Sequence, residues 1–366
     1  MNMPILNAAD SITDLIDCDI HPFPRTPNDI AQFLPQRWQE HGREYGSNIR
    51  SVFSNTIAYP RITPFTARLD SWPPGGGLPA SDLDFMREQL LDRYNVALGI
   101  LQPLRPAASS QRNLEYGSAL CAAINDWQYE VLLPGESRLR ASIMVHPEDP
   151  DAAVAEIARC AGKKGFVQVS LPPRGLEPLG RRRFWPIFEA AAAHGLPIGL
   201  HVSGVGGHAA TAGGWPSYYI EEHHSLVQMM QATTTSLIIE GVFERFPSLR
   251  VVMIESGIAW VPALRARMDR VWRRLRSEVP HLKRLPSEYL RDHFWFTTQP
   301  IDEPERDEDL IDLFDQVGWD RIMLSTDYPH WDFDDPSQLL RRGATHAQRL
   351  AVFRDNARGF YGELLA

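Results

Sequence analysis

Short apolar segments alternate with segments of helical periodicity along most of this chain, and that alternation limits its fold more than any other feature. Eight apolar runs are typical of buried strands, at residues 16–21, 96–101, 140–145, 166–171, 197–202, 250–255, 294–298 and 321–327. Helical patterns separate nearly all of them, at residues 81–94, 109–131, 149–160, 184–194, 261–275, 307–314 and 346–364. A longer helix between the fifth and sixth strands is predicted to end near residue 245. Eight such units predict an α/β fold, a (β/α)8 TIM barrel formed as one domain by residues 1–366.

A doubly wound open sheet is the competing architecture for alternating strands and helices. It should show a glycine-rich turn directly after the first strand, where this chain has Pro22 and Phe23. The barrel is therefore the better prediction.

Residues 22–80 form a long insertion after the first strand, rich in proline, glycine and aromatic residues. A loop of more than about 15 residues in a compact domain usually has a function of its own. Its glycine run, Gly75 to Gly77, lacks the Gly-Lys-Ser/Thr ending of a phosphate-binding loop. We expect this segment to be a lid or a dimerisation insertion.

The charge balance and the cysteines exclude several classes of function. A net charge of -9 argues against nucleic acid or an anionic membrane as the main partner. No apolar run approaches the roughly 18 to 20 residues that span a bilayer, so a cytoplasmic protein with a small-molecule substrate is expected. Cys18, Cys121 and Cys160 are far apart, which disfavours both a disulfide framework and a structural zinc knot.

Metal-binding residue types occupy the ends of four predicted strands. They are Asp19 and His21 on the first, His201 on the fifth, Glu255 on the sixth and Asp327 on the eighth. The carboxyl ends of barrel strands meet at one rim, and converging charges there need a cation to offset their desolvation and repulsion. The pattern predicts a divalent metal site. Zinc and manganese both suit carboxylate and imidazole ligands.

Several of these segments resemble the amidohydrolase-related metal enzymes that include aminocarboxymuconate semialdehyde decarboxylase and γ-resorcylate decarboxylase. The resemblance is carried by Asp19-x-His21, by Leu200-His201, and by the segments 240–247, 260–262 and 325–330. It covers most of the chain and implies a barrel enzyme in which Asp19, His21, His201 and Asp327 bind the ion. It also implies an oligomer, commonly a dimer, but no particular substrate.

Glu255 departs from the family pattern. Many relatives carry at this position a histidine that handles protons. Asp19, Glu255 and Asp327 bring three negative charges, so one divalent ion leaves 2 - 3 = -1 and two leave 4 - 3 = +1. A carboxylate that bridges two metals would suit Glu255.

A second metal would need further donors, which the segment after the fifth strand offers. His208 lies in a glycine-rich stretch, and His223 and His224 are adjacent in a predicted helix. Adjacent helical residues diverge by about 100°, so only one of the pair can face an ion easily. We favour His223, as a ligand or a catalytic group.

Three functions remain open from the sequence. The leading one is a metal-dependent hydrolase or carboxy-lyase acting on a small carboxylate-bearing or aromatic substrate, with Asp327 or Glu255 moving the proton. The second, which the resemblance of some family members to dinuclear oxygenases implies, is an O2-dependent hydroxylase with a dinuclear iron or iron-manganese site, which would use Glu255 and His223. The third is a non-catalytic metal-binding subunit that supports a paralogous chain.

Overall fold

The computed structural model describes residues 12–46, 62–202, 209 and 211–366. Eight parallel strands form one sheet in which each strand pairs with its neighbours in sequence order. The strands are β1 Leu15–Ile20, β2 Val96–Leu101, β3 Leu139–Met144, β4 Phe166–Leu171, β5 Ile198–His201, β6 Val251–Ile254, β7 Phe294–Thr297 and β8 Ile322–Met323.

The sheet closes on itself where β1 meets the segment that follows β8. The backbone N–H of Cys18 donates to the carbonyl of Leu324 at 2.9 Å, and that of His21 donates to the carbonyl of Tyr328 at 2.8 Å. These bonds remove the free sheet edges, so the predicted TIM barrel is confirmed.

Helices lie between the strands and around the barrel. They are α1 Asn28–Ala31, α2 Gln36–Tyr45, α3 Leu83–Met86, α4 Leu114–Trp127, α5 Leu133–Gly135, α6 Pro150–Ala161, α7 Trp185–Ala193, α8 Tyr219–Ile239, α9 Val242–Arg245, α10 Trp260–Leu275, α11 Pro286–His293, α12 Asp307–Val317, α13 His346–Leu350 and α14 Asn356–Tyr361. Segments of π-helix continue three of them, at Arg87–Leu91, Gln128–Leu132 and Ala351–Asp355. No helix in the described ranges is both long and apolar enough to cross a bilayer.

Two sequence predictions of helix and strand length were wrong. The helix expected to run to residue 245 breaks at Gly241, whose φ of 84° is left-handed and ends α8 before α9 begins. The strand expected at residues 321–327 is reduced to Ile322–Met323. Ser325 Oγ accepts from the N–H of Gln299, just after β7, and Thr326 donates its N–H and its hydroxyl to the Asp17 carboxylate of β1 instead of continuing the ladder. Helix α11 was not predicted.

The described parts of the insertion after β1 pack at the mouth of the barrel. The backbone N–H of Arg68 donates to the carbonyl of Pro329 at 2.9 Å, and the backbone N–H of Trp331 donates to the carbonyl of Thr66 at 2.7 Å. Ala67 and His330 form an isolated antiparallel bridge between these segments. The insertion therefore borders the loop after β8, which carries candidate site residues.

Candidate metal centre at the barrel rim

Five predicted donors converge at the carboxyl ends of the strands. One ligand atom from each residue lies within 4.8 Å of the others in the group Asp19, His21, His201, Glu255 and Asp327. Alternate residues of a strand share a face, which brings Asp19 and His21 together inside the barrel. All but Glu255 are almost completely buried, and the Glu255 side chain is 11% exposed.

The two imidazoles present the same nitrogen to this cluster. His21 Nδ1 lies 2.8 Å from the carbonyl of Gln102, and His201 Nδ1 lies 3.0 Å from the carbonyl of Val202. A carbonyl can only accept, so Nδ1 carries the proton and, in the neutral ring, Nε2 holds a lone pair. His21 Nε2 lies 2.7 Å from Asp327 Oδ1, and His201 Nε2 lies 3.0 Å from Glu255 Oε2.

Asp19 lies between both imidazoles. Its Oδ1 is 3.2 Å from His21 Nε2, and its Oδ2 is 3.5 Å from His201 Nε2. Neither oxygen has a partner of good hydrogen-bond geometry among the described residues, although both are buried. Buried carboxylate oxygens of this kind are rare unless a cation binds them. This is the observation that best fits a metal.

Burial also changes the proton affinity of the other carboxyl groups. It raises the pKa of Asp327 to about 8, against the opposing effect of His21. It raises the pKa of Glu255 to about 7, and the nearby Asp327 adds to that shift. A divalent cation at this position would reverse both shifts, because it favours the charged form.

Two of the carboxylate residues adopt a backbone conformation that L-residues avoid. Glu255 has a φ of 54° and Asp327 a φ of 60°, both in the left-handed region. Such strain persists where surrounding bonds impose it and is concentrated at functional sites. Here Thr297 Oγ1 accepts from the N–H of Glu255 at 3.1 Å, and Gln299 Nε2 donates to Asp327 Oδ2 at 3.2 Å.

Asp17 ties the first strand to the segment after β8, which carries Asp327. It is fully buried, and its Oδ2 accepts from the hydroxyl of Thr326 at 2.5 Å while its Oδ1 accepts from the N–H of Thr326 at 3.0 Å. The N–H of Asp19 also donates to Oδ1, at 3.1 Å. Asp17 thereby positions Asp19 and Asp327 together. Sequence analysis missed this role, although a charged residue inside an apolar strand was a signal for it.

His330 forms one side of the centre. Its Nδ1 lies 2.6 Å from Asp327 Oδ1, and its ring stacks on that of His21 with centroids 4.3 Å apart. Burial lowers the pKa of His330 to about 3, so its imidazole is neutral at neutral pH.

A second group of donors adjoins the first. His223, Glu255 and Asp332 also each place a ligand atom within 4.8 Å of the others, and His223 Nε2 is 3.0 Å from Asp332 Oδ2. Exposed His224 belongs to neither group, and His208 lies outside the described residues. Asp332 and Gln299 were missed, because both lie in irregular segments after strands, where no periodicity fixes the direction of a side chain.

Fold and donors together define a metal-dependent TIM-barrel enzyme. The family model described as Amidohydrolase matches residues 16–362, and the chain belongs to that family. The resemblance identified from the sequence motifs is thus confirmed.

The chain is similar to several aromatic acid decarboxylases. γ-Resorcylate decarboxylase of Rhodococcus jostii is 26% identical over 289 residues, 75% of this chain and 86% of that protein. The corresponding enzyme of Polaromonas is 24% identical over 76% of this chain and 87% of its own length. The solved structure of 5-carboxyvanillate decarboxylase from Novosphingobium aromaticivorans, with manganese, has a TM-score of 0.68 and 18% identity over 95% of this chain and 96% of that one.

Proposed function

We propose that this protein is a divalent-metal-dependent carboxy-lyase that removes carbon dioxide from a hydroxylated aromatic carboxylate. The observation that carries the proposal is the buried donor set around Asp19, in a chain that is similar to γ-resorcylate decarboxylase over 75% of its length. Manganese is the metal proposed first, since a related decarboxylase structure contains it.

Asp19, His21, His201 and Asp327 are proposed as the ligands of the ion. Two carboxylates and two Nε2 nitrogens, all buried, form a donor set that suits manganese and zinc alike. The carbonyls of Gln102 and Val202 hold the two rings in the orientation that a ligand requires. When bound, the ion acts as a Lewis acid that orients the substrate carboxylate and a neighbouring phenolic oxygen.

The protein itself must supply a proton to the ring carbon that loses the carboxylate. Protonation forms a C–H bond, the C–C bond then breaks, and its electron pair returns to the ring as carbon dioxide leaves. Glu255 is proposed as the donor because, of the three carboxyl groups in the rim group, it alone has solvent contact and so can be reprotonated. Asp327 takes that role if Glu255 is engaged by metal.

Carbon dioxide release from a panel of aromatic acids tests this proposal. Manganese-loaded protein should convert 2,6-dihydroxybenzoate, 5-carboxyvanillate or a close hydroxybenzoate, and in D2O the product should carry one deuterium at the former carboxylate position. An ester or amide panel in the same buffer tests hydrolysis. Turnover of that second panel alone would reject the decarboxylase assignment in favour of a hydrolase.

A dinuclear, O2-dependent hydroxylase is the second candidate. The observation that favours it is Glu255, which lies in both groups of metal-capable residues. Iron-loaded protein would then consume oxygen in proportion to a hydroxylated product. Oxygen uptake that stays at background with every aromatic acid tested would remove this candidate.

The remaining sequence predictions concern the setting of the enzyme. We propose that residues 22–80 act as a lid or dimer contact, which is supported by the backbone bonds of Thr66 and Arg68 to the loop after β8. A homo-oligomer, a paralogous partner chain and a cytoplasmic location stay predictions. Light scattering, co-purification and cell fractionation would test them in turn.

A further inference from the structure

His223 and Asp332 have no task in the decarboxylation proposed above, and they adjoin Glu255, its proposed proton donor. His223 projects from α8, Glu255 follows β6 and Asp332 lies in the loop after β8, so three separate parts of the chain direct these side chains to one place. Their ligand atoms lie within 4.8 Å of one another. Imidazole nitrogen with two carboxylates is a common donor set for a divalent transition metal.

We infer that His223, Glu255 and Asp332 form a second divalent-cation site, which shares the Glu255 carboxylate with the centre around Asp19. The inference goes beyond the proposed reaction, because it concerns how many ions the protein holds and stands whether the substrate is decarboxylated or oxidised.

The position of Glu255 provides the first argument. Its Oε2 is 3.0 Å from His201 Nε2, which places one oxygen in the first group, and the same side chain also belongs to the group with His223 and Asp332. A carboxylate has two oxygens and can join two cations about 3.5 to 4 Å apart. Glu255 also has a left-handed backbone, with a φ of 54°, a conformation that is concentrated at functional sites.

Charge provides the second argument. Four carboxylates meet here, Asp19, Glu255, Asp327 and Asp332, and in the described part of the chain their ion-pair partners are all histidines. With neutral imidazoles and all four carboxyl groups ionised, the state that a bound cation favours, their formal charge is -4, so one divalent ion leaves -4 + 2 = -2 and two leave -4 + 4 = 0. Buried like charges repel strongly at this distance, and a second ion removes the remaining repulsion.

The amide of Gln299 provides the third argument, because it aligns the aspartates of both groups. Its Nε2 donates to Asp327 Oδ2 and to Asp332 Oδ2, each at 3.2 Å. The two carboxylates are therefore held side by side by one uncharged donor. Gln299 carries no charge that could neutralise the two carboxylates, whereas a cation would.

The two sites differ in access to solvent. The His223 side chain is 20% exposed and that of Asp332 is 14% exposed, while Asp19 and His21 are fully buried. The ring of His223 packs against Trp331 and Tyr219, with centroids 5.5 and 5.9 Å away, which leaves its Nε2 directed at Asp332. We expect the second ion to bind more weakly and to exchange faster than the first.

Metal stoichiometry tests the inference without reference to turnover. Protein stripped with a chelator is titrated with Mn²⁺ in a calorimeter, and the bound metal is counted by elemental analysis after gel filtration. The wild-type chain should bind two ions per chain, and Asp332→Asn should bind one, with the second at least tenfold weaker. His224→Ala, one residue from the ligand but exposed and outside both groups, is the matched control and should bind two.

Electron paramagnetic resonance supplies an independent readout. Two Mn²⁺ ions joined by one carboxylate should give an exchange-coupled spectrum that Asp332→Asn converts to that of an isolated ion. Should Asp332→Asn fail to fold by circular dichroism, His223→Gln must give the same loss of one ion. A wild-type chain that saturates at one ion, or a folded variant of either kind that keeps two, would overturn the inference.

These outcomes are separable from those of the proposed function. A protein that binds one ion and decarboxylates retains the function and loses the second site. A protein that binds two ions and converts no aromatic acid retains the second site and loses the function.

Discussion

At the scale of single residues, His201 provides the most direct test of the candidate centre. Replacing it with alanine removes an Nε2 that lies within 3.5 Å of both Asp19 and Glu255. We expect His201→Ala to lose at least 90% of its bound manganese and turnover to fall by about three orders of magnitude, as is typical when metal activation is lost. Elemental analysis and the carbon dioxide assay measure the two effects. The exposed His194→Ala is the control, and a His201 variant with full metal and activity would reject the assignment.

Thr326 makes a second prediction at this scale. Valine keeps its shape but removes the hydroxyl that donates to Asp17 Oδ2 at 2.5 Å, and it leaves a buried carboxylate oxygen without that donor. Thr326→Val should lower the free energy of unfolding by about 1 to 3 kcal/mol in urea denaturation. Thr234→Val, which loses only a bond to a helix carbonyl, should lose less. Equal losses of unfolding free energy in the two variants would show that the hydrogen bond to Asp17 contributes no more to stability than the one in the helix.

Sequence analysis could predict those residues whose direction follows from strand periodicity. Asp19 and His21 share a face because strand side chains alternate, and His201 ends an apolar strand in the same way. Asp332 and Gln299 could not be found in this manner. Both depend on the path of irregular backbone, which tertiary contacts determine. Choosing between His223 and His224 required knowing which face of α8 points towards the barrel, and local composition does not determine that.

At the scale of elements, a cluster around Glu136 joins the π-helical segment Arg87–Leu91 to the start of β3. Glu136 accepts from Arg87 Nε at 2.7 Å and from Arg138 Nε at 2.9 Å, and it is 7% exposed. The Arg138 hydrogen bonds, together with Arg87, lower the pKa of Glu136 from 4.5 to about 2. The charged form is therefore stabilised by folding.

This shift predicts how stability depends on pH. Because the folded pKa lies below the unfolded one, the contribution of Glu136 is complete above about pH 4.5 and is lost as pH falls towards 2. Glu136→Gln should lower the free energy of unfolding by about 2 kcal/mol at pH 7 and by much less at pH 3. Urea denaturation at both values measures the difference. A gap between wild type and variant that is unchanged at pH 3 would contradict this account.

The alternation of strands and helices was predictable because a parallel sheet is buried on both faces, so each of its strands is a short run of apolar residues. Strands β2 and β4 were predicted at their observed bounds, Val96–Leu101 and Phe166–Leu171. Strand β8 was predicted too long, because Ser325 and Thr326 bond to Gln299 and Asp17 instead of continuing the ladder. Hydrogen bonds of this kind, which replace the backbone ladder of a strand, do not change the hydrophobic periodicity of the sequence and so cannot be predicted from it.

At the scale of the whole molecule, metal should stabilise the barrel against unfolding. The candidate ligands come from β1, β5 and the segments after β1, β6 and β8, so unfolding would separate them and release a bound ion. At a free metal concentration of a hundred times Kd, the gain is about 2.7 kcal/mol. Scanning calorimetry should show a Tm several degrees lower after chelation, and Asp19→Asn should remove most of that difference. A Tm that does not respond to manganese would argue against binding by the folded state.

The bond between Asp17 and Thr326 joins residues 309 positions apart. A ribosome must therefore extrude almost the entire chain before the two halves of the candidate metal centre can meet. Until then a nascent polypeptide carries Asp19, His21, His201 and Glu255 without Asp327, in a barrel that has not closed, so the proposed ligand set is incomplete. If the proposed centre binds metal, its loading is expected to be a late step in biogenesis that follows closure of the barrel.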